Sequence, residues 1–162
     1  MRRGRQRCRF VAAAGNGARD IRDVIPAAYD EVLTATAIAD FDGRPGGLSP
    51  PTCQDDVDDT AADFSNFASK RADRAHVIAA PGACIASLSL GDRGLLTLSG
   101  TSMAAPHVAG AAALCIAGGA CPQSSPAQVV ARLRADAAVA PATFGFAGAG
   151  GVFGDLVRAA GY

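Results

Sequence analysis

The stretch Gly100-Thr101-Ser102-Met103-Ala104-Ala105-Pro106-His107-Val108-Ala109-Gly110, continued by Ala111-Ala112-Ala113-Leu114-Cys115-Ile116-Ala117, decides the fold. Beyond its first residues it is almost wholly Ala, Val, Leu, Ile and Met, with no polar strip at helical spacing. A helix from Ser102 to about Ala117 that is apolar all round is predicted to be buried all round. Pro106 lies close enough to the start for its missing N–H and fixed φ to be tolerated. Ser102 stands where a glycine-containing loop enters this helix. The unpaired N–H groups of the first turn point at its surroundings, and the helix dipole adds partial positive charge. A developing anion beside Ser102 would be stabilised there. The alternative is a serine that only caps the helix.

Working outward, residues 9–14, Arg-Phe-Val-Ala-Ala-Ala, read as a buried strand halted by the turn Gly15-Asn16-Gly17. Residues 31–39, rich in β-branched side chains, form a second strand. The Gly, Pro and Asp of residues 40–63 make a long surface loop. A third strand at 76–80 ends at Pro81-Gly82, and short strand-like pieces follow at 84–89 and 95–98. A second helix opens at Ser125-Pro126-Ala127-Gln128, with Ser125 as N-cap, Pro126 in the first helical position and Gln128 completing a capping box. Its apolar face, Val129, Val130, Leu133 and Ala137, is one-sided, and Gly154 to Ala160 could form a last short helix. Short apolar strands alternating with helices give an α/β fold with a parallel sheet.

The 162 residues are enough for one domain and too few for two ordinary ones. Fifteen basic and fifteen acidic side chains cancel, so no net field favours nucleic acid or an anionic membrane. Five of the first nine residues are Arg, and residues 1–9 read as a disordered basic extension without the apolar run of a secretory signal. No segment has the ~18 consecutive apolar residues of a membrane span. Five cysteines without a C-x-x-C pair, and only two histidines, argue for disulfides over zinc. Cys115 and Cys121 flank the turn Gly118-Gly119 and form one plausible pair; Cys53 and Cys84 form the other, leaving Cys8 unmatched.

The eleven residues Gly100–Gly110 resemble, almost letter for letter, the nucleophile signature of the subtilisin-like serine proteases. They do not fit the G-x-S-x-G elbow of α/β-hydrolases, because Ala104 stands at the last glycine. Val11-Ala12-Ala13-Ala14-Gly15-Asn16 resembles the strand and turn carrying that family's oxyanion-hole Asn. Phe64-Ser65-Asn66 and Val77-Ile78-Ala79-Ala80-Pro81-Gly82 resemble two further stretches, in the family's order. The resemblance runs from Phe10 to about Ala137 and implies residues 10–162 as part of a three-layer, mainly parallel catalytic domain, the C-terminal part, with its N-terminal part missing. It implies Ser102 as nucleophile, with its backbone N–H and the Asn16 amide holding the oxyanion. The backbone of Ala13, Ala14 and Gly15 would form one wall of a substrate pocket. Protein or peptide substrates, and an extracellular setting that suits the cysteine count, follow from the same likeness. No cofactor is implied beyond structural calcium in the full-length protein. The acidic run Asp55–Asp63 fits no EF-hand loop and reads as solvated.

A serine hydroxyl needs a base held by a third group. The family's D-S/T-G and H-G-T motifs, which carry its Asp and His, do not occur in these residues. His107, five residues along the helix from Ser102 and thus rotated by about 500°, is read as packed and structural rather than catalytic; His76 is read likewise. The chain by itself is therefore expected to be inactive or weakly active. Two readings follow: part of a serine endopeptidase, completed by the missing N-terminal part or a separate chain, or a non-catalytic remnant that binds a peptide or a partner chain. Either way, a parallel sheet without its first strands exposes an edge. The 162 residues expressed alone should aggregate; a monomeric preparation with a cooperative unfolding transition would contradict this.

Overall fold

The computed structural model describes residues 10–47, 49–91, 94–121, 125–139, 153–160 and 162. The basic residues 1–9, with Cys8, lie outside them. Three parallel strands form the centre: β1 (Phe10–Ala13), β2 (Val32–Ala39) and, across β2 from β1, a strand at Val77–Pro81. A two-residue strand, β3 (Thr60–Ala61), pairs antiparallel with the end of β2, so the strand at Val77–Pro81 is β4. A hairpin, β5 (Ile85–Leu88) and β6 (Leu95–Leu98), stands apart as a second sheet. Two helices follow, α1 (Thr101–Ala117) and α2 (Pro126–Ala138). The architecture is α/β with a mainly parallel sheet, as the residue pattern predicts.

β2 is the axis of the domain, buried at all eight positions. Its alternation sends Leu33, Ala35 and Ala37 to one face, where they meet Ala104, Val108, Ala111 and Cys115 of α1 and Val129, Leu133 and Ala137 of α2. Alanines at these positions let α1 lie close against the sheet. Thr34 and Thr36 face the other way, and their hydroxyls donate to the carbonyls of Ala27 and Phe153 respectively. On that face Ile21, Ala27, Ala68 and Val77 make a second small core.

Ser125 caps α2 as read: the Gln128 N–H donates to Ser125 Oγ at 3.3 Å, and the Ser125 hydroxyl to Gln128 Oε1 at 3.0 Å. Three expectations need correction. α1 is buried along one face only; Pro106, His107, Gly110 and Leu114 are exposed, so the atoms that would cover its outer side are not supplied by the described residues. Residues 154–160 form no helix. The segment runs along β4, exchanging bonds with Ala79 through Asp155 O and the Val157 N–H, because Gly154 lies so close to β4 that a Cβ would stand 2.8 Å from the Ile78 Cα. Within the acidic loop, Asp56, Asp58 and Asp59 are buried rather than solvated.

Both disulfides form between the expected partners. Cys53–Cys84 ties the long loop to the residue before β5, and Cys115–Cys121 closes the turn after α1. Their chain separations, 31 and 6 residues, imply denatured-state constraints of about 3.5 and about 2 kcal/mol respectively. Replacing Cys53 and Cys84 together by alanine should therefore lower stability more than replacing Cys115 and Cys121 does, as measured by urea unfolding of the complete protein.

Candidate functional site

The cap of α1 is Gly100, which puts Thr101 first in the helix and Ser102 second. Ser102 is thus not the capping residue; it sits exposed in the first turn, between the Thr101 N–H, which donates to Asn16 Oδ1, and the Met103 and Ala104 N–H groups, which donate to Gly100 O. The loop before it is fixed by the Gly100 N–H, which donates to Gly82 O at 2.7 Å. Gly82 allows that approach, because a Cβ there would lie 3.0 Å from Gly100 O and 2.6 Å from the Ala37 Cβ. Thr101 is fully buried. Its backbone N–H and its hydroxyl both donate to Asn16 Oδ1, at 2.9 and 2.8 Å. The same hydroxyl accepts the Gly15 N–H at 3.0 Å. The structure therefore brings the turn after β1 and the head of α1 together, across 85 residues of chain. With Oδ1 held by two donors, the orientation of the Asn16 amide is fixed and its NH2 group is turned away from Thr101.

The Gly15-Asn16-Gly17 turn is held from beneath by Asn66, which is 1% exposed. Asn66 Nδ2 donates to Ala14 O at 2.7 Å; its Oδ1 accepts the N–H groups of Gly17 and Arg19, each at 3.0 Å. Its backbone N–H donates to Gly15 O at 3.0 Å. Gly15 has φ 98°, and a Cβ there would lie 2.5 Å from Asn66 Nδ2, so conformation and space both require glycine. Ala14 is buried, whereas Ala13 and Gly15 are half-buried at the edge of the turn. Sequence reasoning missed Thr101 and Asn66 as organising residues. Both act through contacts distant in the chain, and the only signal was their place inside stretches already noted for Ser102 and for Phe64-Ser65-Asn66.

Beside Ser102 runs a groove of about 630 Å³, walled by Leu88, Leu96 and Leu98 of the hairpin and by Met103 and His107 of α1. His107 Nδ1 bonds Met103 O at 2.8 Å, a local contact one turn back along the helix. The ring is hydrogen-bonded but exposed, not packed. His76 is buried, its Nε2 3.9 Å from Asp30 Oδ1. Neither imidazole is hydrogen-bonded to Ser102.

Among the described residues, the side chains that could hold a metal ion are Asp40, Asp58 and Asp59. Burial, reinforced by the negative charges of Asp59 and Asp58, pushes the Asp40 carboxyl up from the ordinary carboxylate range against the lowering pull of the Gly43 and Asp42 amides. Two disulfides suit an extracellular protein. No described helix is long and apolar enough to cross a membrane.

Residues 1–151 match the family model described as Subtilase family. Subtilisin-like protease 3 of Trichophyton equinum is 40% identical over 126 residues, 77% of this chain and 25% of that protein. Subtilisin-like protease 2 of Pseudogymnoascus destructans is 36% identical over 124 residues, 76% of this chain and 25% of that protein. The chain thus spans about a quarter of the length of the curated relatives it matches. Among solved structures, a cold-adapted subtilisin-like serine proteinase aligns with TM-score 0.64 and 27% identity over 91% of this chain and 43% of its own. The self-cleaved protease domain of PatA aligns with TM-score 0.61 and 27% identity, over 92% and 46%.

Asn66→Ala should strand Ala14 O and the amides of Gly17 and Arg19 in a largely buried turn. A loss of about 2–4 kcal/mol in urea unfolding of the complete protein is expected.

Proposed function

This chain belongs to the subtilase family, and we propose that it forms the later part of a serine endopeptidase domain in which Ser102 is the nucleophile and Asn16 an oxyanion donor. The observation that carries this reading is the pair of hydrogen bonds that Asn16 Oδ1 accepts from Thr101, which leaves the amide NH2 free to donate beside the first turn of α1.

In the proposed reaction Ser102 Oγ attacks the scissile carbonyl carbon and its proton passes to a base. The carbonyl oxygen becomes an oxyanion that accepts from the Ser102 backbone N–H and Asn16 Nδ2. The base returns the proton to the leaving nitrogen as collapse expels the amine and leaves an acyl-enzyme on Ser102; water, giving its proton to the same base, then hydrolyses the ester through a second oxyanion and the proton returns to Ser102 Oγ. An amide serves because it donates without a charge that titrates. The helix dipole adds to the same field, and both donors are oriented before the charge develops. Ala13, Ala14 and Gly15 would form one wall of the pocket for the substrate side chain before the scissile bond. No cofactor enters this chemistry; calcium in the full-length protein would be structural.

The base and its orienting carboxylate are not supplied by D-S/T-G or H-G-T stretches in these residues. They would come from another part of a longer protein or from a separate chain. The substrates are proteins or peptides and the setting extracellular.

A fluorophosphonate probe tests this. The complete protease should be labelled and lose labelling in Ser102→Ala, while the 162 residues alone should react far more slowly. Equal rates for the isolated chain and the complete protease would overturn the need for an external base, and labelling that survives Ser102→Ala would overturn the nucleophile. Asn16→Ala should lower kcat with little change in KM. The size expected is the ~10²–10³ known for this family's oxyanion asparagine, not a figure obtained from this geometry.

A further inference from the structure

Of the two disulfides among the described residues, one is sealed and the other open to solvent. Cys115 and Cys121 are buried, whereas Cys53 is exposed and Cys84 half-buried. A thiolate in solution reaches the second bridge, and not the first, without unfolding the chain. That bridge lies beside the approach to Ser102. Residues 82–85 and 98–100 run antiparallel: Gly82 O accepts the Gly100 N–H at 2.7 Å, and Ile85 stands opposite Leu98. Between these pairs the Cys84 N–H donates to Ser99 Oγ at 2.9 Å. The Ser99 hydroxyl in turn donates to Cys53 Sγ at 3.7 Å, since a disulfide sulfur has no hydrogen to give. One side chain therefore touches both halves of the bridge, three residues before Ser102.

Cys84 has φ 55°, a left-handed conformation that is unfavourable for a residue with a Cβ and persists where the surroundings impose it. Two constraints impose it here. The disulfide ties Cys84 to the long loop at Cys53, and Ser99 takes its N–H. The loop is held in its turn, because Asp58 accepts the N–H groups of Phe41 and Ser49. With the bridge opened, Cys84 is free to relax toward an ordinary φ and its N–H turns from Ser99. The segment that delivers Ser102 then loses that support. The hairpin keeps its own pairing, Ile85 with Leu98 through Leu88 with Leu95, so the groove wall at Leu88, Leu96 and Leu98 is retained.

We propose that the Cys53–Cys84 disulfide is a redox-sensitive brace for the nucleophile loop, with Ser99 as the positioning residue that passes the constraint toward Ser102. The inference rests on Ser102 being the nucleophile. The agent that opens the brace is a small dithiol. Its thiolate attacks Cys53 Sγ, and Cys84 leaves as a thiolate and takes a proton. The reagent's second thiolate then displaces Cys53, which is protonated as the reagent closes into a cyclic disulfide; two electrons and two protons pass in all. Oxidised, the brace holds the hydroxyl where attack requires it. Reduced, turnover slows while substrate binding stays, because a displaced nucleophile costs rate and the groove wall does not depend on the bridge.

The complete protease, its free thiols first blocked, is treated with a small dithiol without denaturant and quenched with an alkylating agent. Peptide mass analysis should find Cys53 and Cys84 alkylated and Cys115 still joined to Cys121. On a peptide substrate, well below the Tm of the reduced protein, kcat should fall about tenfold with KM changed less than about twofold. Reoxidation should restore it, and Cys53→Ala/Cys84→Ala should start at the lowered kcat and ignore the dithiol. With the bridge intact, Ser99→Ala should lose about threefold or more in kcat, Ser99→Thr should keep it, and Ser99→Ala should cost nothing further once the bridge is open. A bridge that merely stabilises the fold moves none of these rates. Should the double variant fail to fold, reduction of the wild type and the two Ser99 variants still decide. Opening of Cys115–Cys121 first would refute the selective access. An unchanged kcat after full reduction of Cys53–Cys84, with activity abolished in Ser102→Ala, would overturn the brace alone. Activity that survives Ser102→Ala would remove the nucleophile and the brace together, and equal kcat in Ser99→Ala and wild type would remove Ser99 from the path.

Discussion

Everything at the head of α1 depends on one small contact. Thr101 offers its N–H and its hydroxyl to the same oxygen of Asn16, and that hydroxyl takes the Gly15 N–H in return. The three bonds close a ring between the turn that ends β1 and the cap of the helix. They are part-buried, so water competes poorly for them, and each holds a group that would otherwise be stranded. They also orient what lies at the surface: an amide locked at its oxygen has only its nitrogen to offer, and a helix locked at its first residue presents the second at a fixed angle. Rigid positioning of donors before charge appears is what gives such a pocket its strength.

The contact is possible because β2 organises two sides at once. Its alanines bring α1 down onto one face; its end carries the loop that returns through β3 to Ser65 and Asn66. Asn66 then holds the turn from beneath, while Gly82 and Gly100 bring the serine loop in from the side. Small residues at Ala37 and Gly82 serve distance, and Gly15 serves both distance and its positive φ. Added methyl groups at the two glycines would meet neighbouring atoms at 2.5 and 2.6 Å.

Much of this was legible in the sequence where the signal is local. Strand and helix positions followed from apolar runs broken by Gly and Pro, and the capping box at Ser125 was a four-residue pattern. Both disulfides join pairs that the sequence had made plausible, though it left the pairing open. What escaped was set by contacts between distant segments. An all-apolar α1 implied burial on every side, yet burial depends on what is packed there, and the described residues cover one face. Residues 154–160 read as helix from composition, but a strand edge at Ala79 offered a better partner for their backbone. Asp56, Asp58 and Asp59 read as solvated because acidic runs usually are; five backbone amides, those of Asp63, Phe41, Ser49, Gly46 and Gly47, draw these three carboxylates inward instead. The stretches around Ser102 and Asn16 stood out by their motifs, and the structure brings them together; Thr101 and Asn66, which hold them in place, did not stand out.

The bridge from Cys53 to Cys84 has a further effect on how such a chain would age among proteases. Val57 is 65% exposed, and Lys70 and Arg71 lie on the surface; all three fall within the stretch that the bridge closes. A single nick at any of them would open the polypeptide without releasing a fragment, since both pieces stay covalently joined. Clipped molecules could then keep their shape and go undetected until a reducing gel separated them.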